Sequence, residues 1–298
     1  MRRVSSLLVA FLVGLVACGD ERSERADVTA SPSPLPSPVP DATLADYDAQ
    51  TFSASSSVDN EWYPLVPGTH FVYEGRFTED GERLQHTVEF TVTDLTKEVD
   101  GVEARAIIDR DYIEGELVEH ELAFFAQDDH GNVWLMGEYP EEYSDGEFEG
   151  APDTWLAGVK GARAGVMMRA QPSPDTSAYL QGLWDPIEFK DKAQVLRIED
   201  ETCTPLDCYR SPLLIQEWNP DEPGAFQLKY YARGVGNVRV GWAGKNEEEK
   251  EVLVLTSLEQ LDDAGITAVR DEALALERRA YEISKTVYGD TSPLEQSP

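Results

Sequence analysis

Glycine turns between alternating segments constrain the fold of this chain more than any other sequence feature. In the segment LQHTVEFTV, residues 84–92, apolar residues and His86 alternate with polar ones. This period of two predicts a strand with one buried face. Gly81, Gly101 and Gly115 lie beside acidic residues at hairpin positions, where the backbone needs a left-handed residue. The sequence therefore predicts an antiparallel meander.

The C-terminal part of the chain changes to a helical period. Apolar residues recur there at steps of three and four: Ile266, Val269, Ala273, Leu276, Ala280, Ile283 and Val287. Such a stripe either covers the sheet or pairs with a second copy as a coiled coil, and its alanines favour close packing on the sheet. The predicted fold is mainly β, a single antiparallel curved sheet or half-open β-barrel with one C-terminal amphipathic α-helix.

The first residues have the pattern of an export signal. Arg2 and Arg3 precede an apolar run from Val4 to Ala17, which is too short to span a bilayer as a helix. The letters LVAC that end at Cys18 resemble the lipobox of bacterial lipoproteins. That resemblance implies that Cys18 carries a lipid, which would anchor the protein to the cell membrane from the extracytoplasmic side.

Changes in composition predict the organisation of the chain. A proline-rich run, SPSPLPSPVP, precedes the first strand and is typical of an extended tether. The predicted segments are a signal peptide (1–17), a lipidated N-terminus and disordered Pro/Ser-rich tether (18–57), a β domain (58–257), a C-terminal helix (258–288) and a disordered tail (289–298).

The charge of the chain restricts its partners. Lys and Arg total 25 against 57 Asp and Glu, which gives a net charge of -32. Such a surplus of acid repels phosphate backbones, so we expect no nucleic-acid partner. A self-repelling surface also favours a monomer.

Two cysteines remain once Cys18 is assigned to the lipid. Cys203 and Cys208 flank a turn with a proline, and an even number of cysteines outside the cytoplasm predicts a local disulfide. A redox pair or a pair of metal ligands is the alternative.

Two histidines lie on the more apolar faces of predicted strands. His86 and His120 are either core histidines with satisfied hydrogen bonds or the polar groups of a pocket on the concave face of the sheet. The pocket hypothesis adds Phe90, Phe124 and Trp134 as its apolar lining.

A polar segment between two strands is the candidate metal site. In AQDDHGNVW, Asp128 and Asp129 are adjacent, whereas a calcium loop needs oxygen ligands at alternate positions. Asp129 and His130 suit the centre of a type I turn, with Gly131 as the left-handed residue after it. We therefore predict a structural turn and no cofactor, with calcium binding as the alternative.

Three motifs carry a family resemblance. YPLVPGTHFVYEG (63–75), AQDDHGNVWLMGE (126–138) and YYARGVGNV (230–238) resemble, in this order, a group of bacterial secreted or lipid-anchored proteins without an established activity. The resemblance implies an architecture and a compartment, and it supplies no catalytic residues.

Three functions remain compatible with the sequence. The preferred hypothesis is a non-enzymatic binding or carrier module that holds an apolar ligand or a protein partner at the cell envelope. An envelope-maintenance protein acting by protein contacts predicts no pocket and an exposed apolar patch. A hydrolase acting on an envelope polymer predicts a cleft with two carboxylates or a His–acid pair. No GxSxG or HExxH motif is present.

Overall fold

Strands dominate the computed structural model, which describes residues 42–48, 50–79, 81–247 and 250–297. The predicted signal peptide and Cys18 lie outside these residues. The strands are β1 (Thr69–Glu79), β2 (Glu82–Val99), β3 (Val102–Ile113), β4 (Glu116–Gln127), β5 (Val133–Ser144), β6 (Glu147–Gly150), β7 (Trp155–Leu156), β8 (Arg163–Met168), β9 (Tyr179–Leu180), β10 (Gly182–Leu183), β11 (Lys192–Ile198), β12 (Glu201–Cys203), β13 (Cys208–Arg210), β14 (Leu213–Trp218), β15 (Phe226–Ala232), β16 (Gly236–Ala243), β17 (Val252–Gln260) and β18 (Glu295–Gln296). The helical segments are a 3-10 turn (Asp185–Ile187), α1 (Asp263–Ile283) and α2 (Lys285–Tyr288).

The main sheet curves until its two ends meet. Its strand order is β10-β8-β5-β4-β3-β2-β1-β17-β16-β15-β14-β11-β9, and each neighbouring pair is antiparallel. The end strands β9 and β10 are consecutive in sequence and are separated by Gln181 alone. The chain itself therefore joins the two ends and nearly closes a barrel, which confirms the predicted fold class.

The predicted glycine turns join the long strands. Asp100 and Gly101 both have positive φ, at 50° and 76°, between β2 and β3. Glu114 and Gly115 repeat this geometry between β3 and β4, with φ of 53° and 83°. Two successive left-handed residues form the type I′ turn that matches the twist of a hairpin, so the meander is confirmed.

Helix α1 lies on the outer face of the sheet. Asp262 caps its N-terminus by accepting a hydrogen bond from Gly265 N at 2.9 Å. Ala273, Leu276 and Ala280 are fully buried against the sheet, as the stripe predicts. Ile283, the last residue of the helix, is in contrast exposed. No helix among the described residues combines the length and apolarity needed to cross a membrane.

The C-terminal residues are ordered on the sheet, which corrects the expectation of a disordered tail. Strand β18 pairs with β2, and Leu294 is buried. Glu277 of α1 accepts hydrogen bonds from Leu294 N at 3.0 and 2.9 Å. A buried carboxylate needs such donors, and this local demand cannot be seen in the composition of the tail.

The described end of the predicted tether also packs on the barrel. The Tyr47 ring lies 5.4 Å from the Trp134 ring, and Phe52 lies 6.4 Å from it. Thr43 forms a bridge with Tyr179 of β9. Burial of these aromatic rings stabilises the packed segment, so the described residues between 42 and 57 correct the expectation of a disordered tether there.

Candidate functional site

A cavity of about 340 Å³ lies inside the barrel and is called here the interior cavity. Antiparallel partners point to the same side of a sheet, so rows of paired residues face it. Phe90 pairs with Asp109, and Val88 pairs with Asp111 and with Tyr73; all five line the cavity. Its volume is within the range of small-molecule sites.

Aromatic rings form one part of the lining. Phe71 and Tyr73 stack with centroids 6.3 Å apart, and Phe71 meets Phe90 edge-on at 5.7 Å. The Tyr73 hydroxyl donates a hydrogen bond to Asn237 O at 2.9 Å, which fixes the ring. Phe71, Tyr73 and Phe90 are called the aromatic wall below. The other aromatic residues that line the cavity are Tyr63, Phe189, Trp218, Tyr231 and Trp242.

Carboxylates form the other part of the lining. Among the described residues, the cavity is lined by eight acidic side chains and a single basic one, Lys229. The acidic residues are Asp109, Asp111, Glu119, Glu121, Glu138, Asp191, Glu217 and Glu251. Their shared sign produces a negative field within the barrel.

Lys229 is already engaged by one of these acids. Its Nζ atom lies 2.8 Å from Glu217 Oε2, and Gln181 Nε2 donates a hydrogen bond to Glu217 Oε1 at 3.0 Å. Burial lowers the pKa of Lys229, but the charge and hydrogen bond of Glu217 outweigh it and raise the pKa overall. The lysine therefore stays charged and compensates Glu217.

His86 bridges two acids of the lining. Its Nε2 lies 2.6 Å from Asp111 Oδ1, and its Nδ1 lies 3.4 Å from Glu251 Oε1. Burial lowers the pKa of His86, whereas the bond to Asp111 and the charges around it raise the pKa above its usual value. The imidazole thus favours its protonated form and stabilises both carboxylates.

Asp109 has the most unusual environment in the cavity. Its Oδ1 atom is shielded from solvent and has no hydrogen-bond partner. Burial, followed by the neighbouring charge of Asp111, raises its pKa to about 7, although Lys229 and His86 oppose the shift. Asp109 therefore exchanges a proton near neutral pH.

The structure brings together part of the predicted pocket. Phe90 lines the interior cavity, and His86 contacts two of its lining acids. His120, Phe124 and Trp134 are on the outer face of the sheet, which corrects their assignment to the pocket. Both faces of β4 and β5 are covered, so apolar alternation does not show which face is concave.

His120 serves the contact between the sheet and α1. Its Nε2 lies 2.9 Å from Glu272 Oε1, and Arg110 donates two hydrogen bonds to the same carboxylate. Burial raises the pKa of Glu272, but these partners lower it to about 2. Phe124 is fully buried on this face, as the register with Ala106 requires.

The candidate metal segment is a hydrogen-bonded turn. Asp128 Oδ1 accepts from His130 N and Asn132 N, both at 2.9 Å, and Oδ2 accepts from Asn132 Nδ2 and Trp134 Nε1. Gly131 has φ of 89°, as the predicted turn requires. Four donors occupy the Asp128 carboxylate, and this arrangement supports a structural role.

Asp129 has a different partner, the described end of the N-terminal segment. Its carboxylate accepts from Ser53 N at 2.8 Å and Ser53 Oγ at 2.9 Å. Calcium binding at Asp128 and Asp129 stays the alternative prediction.

Cys203 and Cys208 form a disulfide across the β12–β13 hairpin, as the sequence predicts. Their pairing in one register places the sulfurs at bonding distance, 2.02 Å. Glu201 lies beside them. The sulfurs are consumed by the disulfide, so the metal-ligand alternative loses its thiolates.

The sequence does not identify the acids of the cavity as site residues. In AIIDRDYI, Asp109 and Asp111 alternate with Arg110, which places both on one strand face between apolar residues. This alternation is the sequence signal for the two acids. In a chain with 57 acids, pairs of nearby acids are common by chance, so the alternation does not distinguish this pair from the others.

Comparisons with known proteins identify no family. No family model matches the sequence, and no curated protein matches it. Among solved structures, a candidate exported protein of Bacteroides fragilis with a YmcC-like fold is 14% identical, with a TM-score of 0.36, over 67% of this chain and 99% of that one. A candidate lipoprotein of Parabacteroides distasonis is 13% identical, with a TM-score of 0.36, over 67% of this chain and 100% of that one. Similarity at this level gives no information about function.

Proposed function

We propose that this chain is a non-enzymatic binding module of the cell envelope that holds a small ligand inside its barrel. The observation that carries the proposal is the interior cavity of about 340 Å³, built from aromatic rings and polar groups. Cavities that combine apolar walls with a few polar groups are typical of small-molecule sites. The purely apolar ligand expected from the sequence does not suit so many carboxylates, so the ligand is amphipathic.

The proposed location rests on three features of the sequence. The basic start and the apolar run are typical of an export signal, and LVAC places a cysteine where lipoproteins carry their lipid. The Cys203–Cys208 disulfide suits an oxidising compartment. These features support a lipid-anchored, extracytoplasmic protein whose barrel faces away from the membrane.

Ligand extraction tests the proposal. The lipidated protein is purified from its native membrane, denatured, and the released small molecules are identified by mass spectrometry. Val88→Trp fills the cavity from β2, whereas Gln85→Trp adds the same side chain on the exposed face of that strand. We expect a molecule that co-purifies with the wild type and Gln85→Trp and is lost from Val88→Trp. Equal amounts from all three would place any bound molecule outside the cavity.

Protein contacts alone are a weaker explanation, because that hypothesis predicts no pocket. Large exposed apolar side chains among the described residues are also scattered over distant segments: Val66, Phe148, Ile198, Leu206 and Ile283. A contiguous patch is the usual mark of a docking face.

A hydrolase is the second candidate, favoured by one observation. Asp109, with its pKa of about 7, lies two residues from Asp111 on the same face of β3. A protonated and an ionised carboxyl group are the pair that cleaves glycosidic bonds. Release of reducing ends from purified peptidoglycan, abolished by Asp111→Asn, would support this candidate; no release by the wild type would exclude that substrate.

A further inference from the structure

The charge of the interior cavity is unbalanced even after its internal pairs are counted. Lys229 is held by Glu217, and His86 is shared between Asp111 and Glu251. Lys229 and His86 are thus two basic groups against the eight acids that line the cavity, so its field stays negative. This field would repel an anionic ligand and attract a cationic one.

Asp109 is the acid best placed to meet such a cation. The other acids of the cavity have partners: Asp111 bonds His86, Glu251 accepts from Gln227, and Glu217 holds Lys229. Glu119, Glu121, Glu138 and Asp191 are also engaged. Asp109 Oδ1 is shielded from solvent without a hydrogen-bond partner, and Asp109 lines the cavity. A buried acceptor without a donor is costly unless a ligand satisfies it.

Two residues of the aromatic wall are neighbours of Asp109. Phe90 is the cross-strand partner of Asp109. Burial and then the charge of Asp109 raise the pKa of the Tyr73 hydroxyl, so the phenol and the carboxylate are close enough to interact. Aromatic faces attract cations and pack against apolar groups, whereas they offer no ligand atoms to a hard metal ion.

The spacing of the acids also disfavours a bare metal ion. Three ligand atoms within 4.8 Å of one another occur, among the described residues, at Glu201, Cys203 and Cys208, outside the cavity. The interior carboxylates are spread too widely to enclose one ion. A cation with a body large enough to reach the aromatic wall fits the lining better.

We propose that the interior cavity binds an organic ammonium ion, with its charged nitrogen on Asp109 and its apolar body against the aromatic wall. This inference rests on the proposed binding function. The ammonium group donates to Oδ1 and neutralises a carboxylate that burial otherwise disfavours. The aromatic wall supplies apolar contact and cation–π attraction.

Binding of this kind is linked to pH. The titratable groups that face Asp109 are Tyr63 before β1, Tyr73 on β1, His86 on β2, Asp111 on β3, Glu121 on β4, Lys229 on β15 and Glu251 before β17. A cation pairs with the ionised carboxylate, so it displaces the proton that Asp109 holds below about pH 7. Affinity therefore falls about tenfold from pH 8 to pH 6.

A series of matched indoles tests the proposal by calorimetry on the lipidated protein in zwitterionic nanodiscs, with empty nanodiscs subtracted. Tryptamine carries an ammonium group, tryptophol replaces it with a hydroxyl, and indole-3-acetate carries a carboxylate. We expect tryptamine to bind at least tenfold more tightly than tryptophol at pH 8, and indole-3-acetate not to bind. Asp109→Asn should abolish the preference for tryptamine, whereas Asp145→Asn, which removes one exposed charge, should retain it.

Two patterns of indole binding would overturn the inference, and so would the absence of binding. One is that tryptophol or indole-3-acetate binds as tightly as tryptamine and that this binding is lost in the cavity-filling Val88→Trp variant. The cavity would then bind ligands without selecting cations. The other is a preference for tryptamine that survives in Asp109→Asn. Failure of all three indoles to bind would reject the inference but not the binding function. The binding function itself would fail if no molecule co-purifies with the wild type, or if Val88→Trp retains the same amount.

Discussion

Lys97 Nζ on strand β2 donates a hydrogen bond to Glu277 Oε1 on helix α1 at 2.8 Å, and both side chains are buried. The ammonium also lies over the rings of Tyr281 and Tyr288, with centroid distances of 5.3 and 4.9 Å. The Glu277 carboxylate in turn accepts from Leu294 N. One ion pair thus joins the barrel, the helix and the C-terminal residues.

Removal of this ammonium should weaken the fold strongly. We expect Lys97→Met to lower the free energy of unfolding by about 3 kcal/mol, because the buried Glu277 loses its counter-charge. Urea unfolding followed by fluorescence measures the change. Glu61→Gln, which breaks an exposed pair with Arg233, should cost less than about 1 kcal/mol. The double variant Lys97→Met/Glu277→Gln should recover part of the loss; no recovery would mean that Lys97 acts through packing alone.

The sequence predicts the local features of this fold better than its site. Turns with Gly101 and Gly115 and the stripe of α1 depend on near neighbours in the chain, so their patterns are readable. The face of β4 that points to the interior depends on which face of the sheet α1 packs against and on closure of the sheet through Gln181. The alternation in β4 therefore predicts the wrong face for His120.

The importance of Asp109 also has a non-local origin. Burial and then the charge of Asp111 raise its pKa, and the opposing charges of Lys229 and His86 come from residues that are distant in sequence. Lys97 is similar, since a lysine in an alternating strand normally predicts a solvent-exposed position. The burial and ionisation of such residues arise when the sheet closes, so the sequence of a single strand does not predict them.

The Asp128 carboxylate is expected to stabilise its turn without a metal. Asp128→Asn places an amide donor opposite the donors of Asn132 and Trp134, so we expect a loss of about 2 kcal/mol in unfolding free energy. Thermal unfolding with and without calcium tests both hypotheses. Asp145→Asn, in an exposed turn, should leave the midpoint unchanged. A large calcium-dependent stabilisation that Asp128→Asn abolishes would establish a metal site instead.

Cys18 is expected to carry the membrane anchor. In cells given radiolabelled palmitate, the wild-type protein should incorporate label and sediment with membranes, because acyl chains partition into the bilayer. Cys18→Ser should lose the label. The Cys203→Ser/Cys208→Ser variant is the matched control, since it removes the two disulfide-bonded cysteines and keeps the lipobox, and it should remain labelled. Labelling of Cys18→Ser would show that the lipid is attached elsewhere.

Asp109 should make the barrel less stable as pH rises. The folded state holds a proton on this group up to about pH 7, whereas the unfolded chain releases it near its usual pKa of about 4. Stability from this group is therefore full below the unfolded pKa and is lost as pH rises towards 7. We expect Asp109→Asn to raise the free energy of unfolding by about 2–4 kcal/mol at pH 8 and to change it little at pH 4. Urea unfolding at the two pH values measures the difference, with Asp145→Asn as the control. An equal effect of Asp109→Asn at both pH values would show that the ionisation of Asp109 is not the cause.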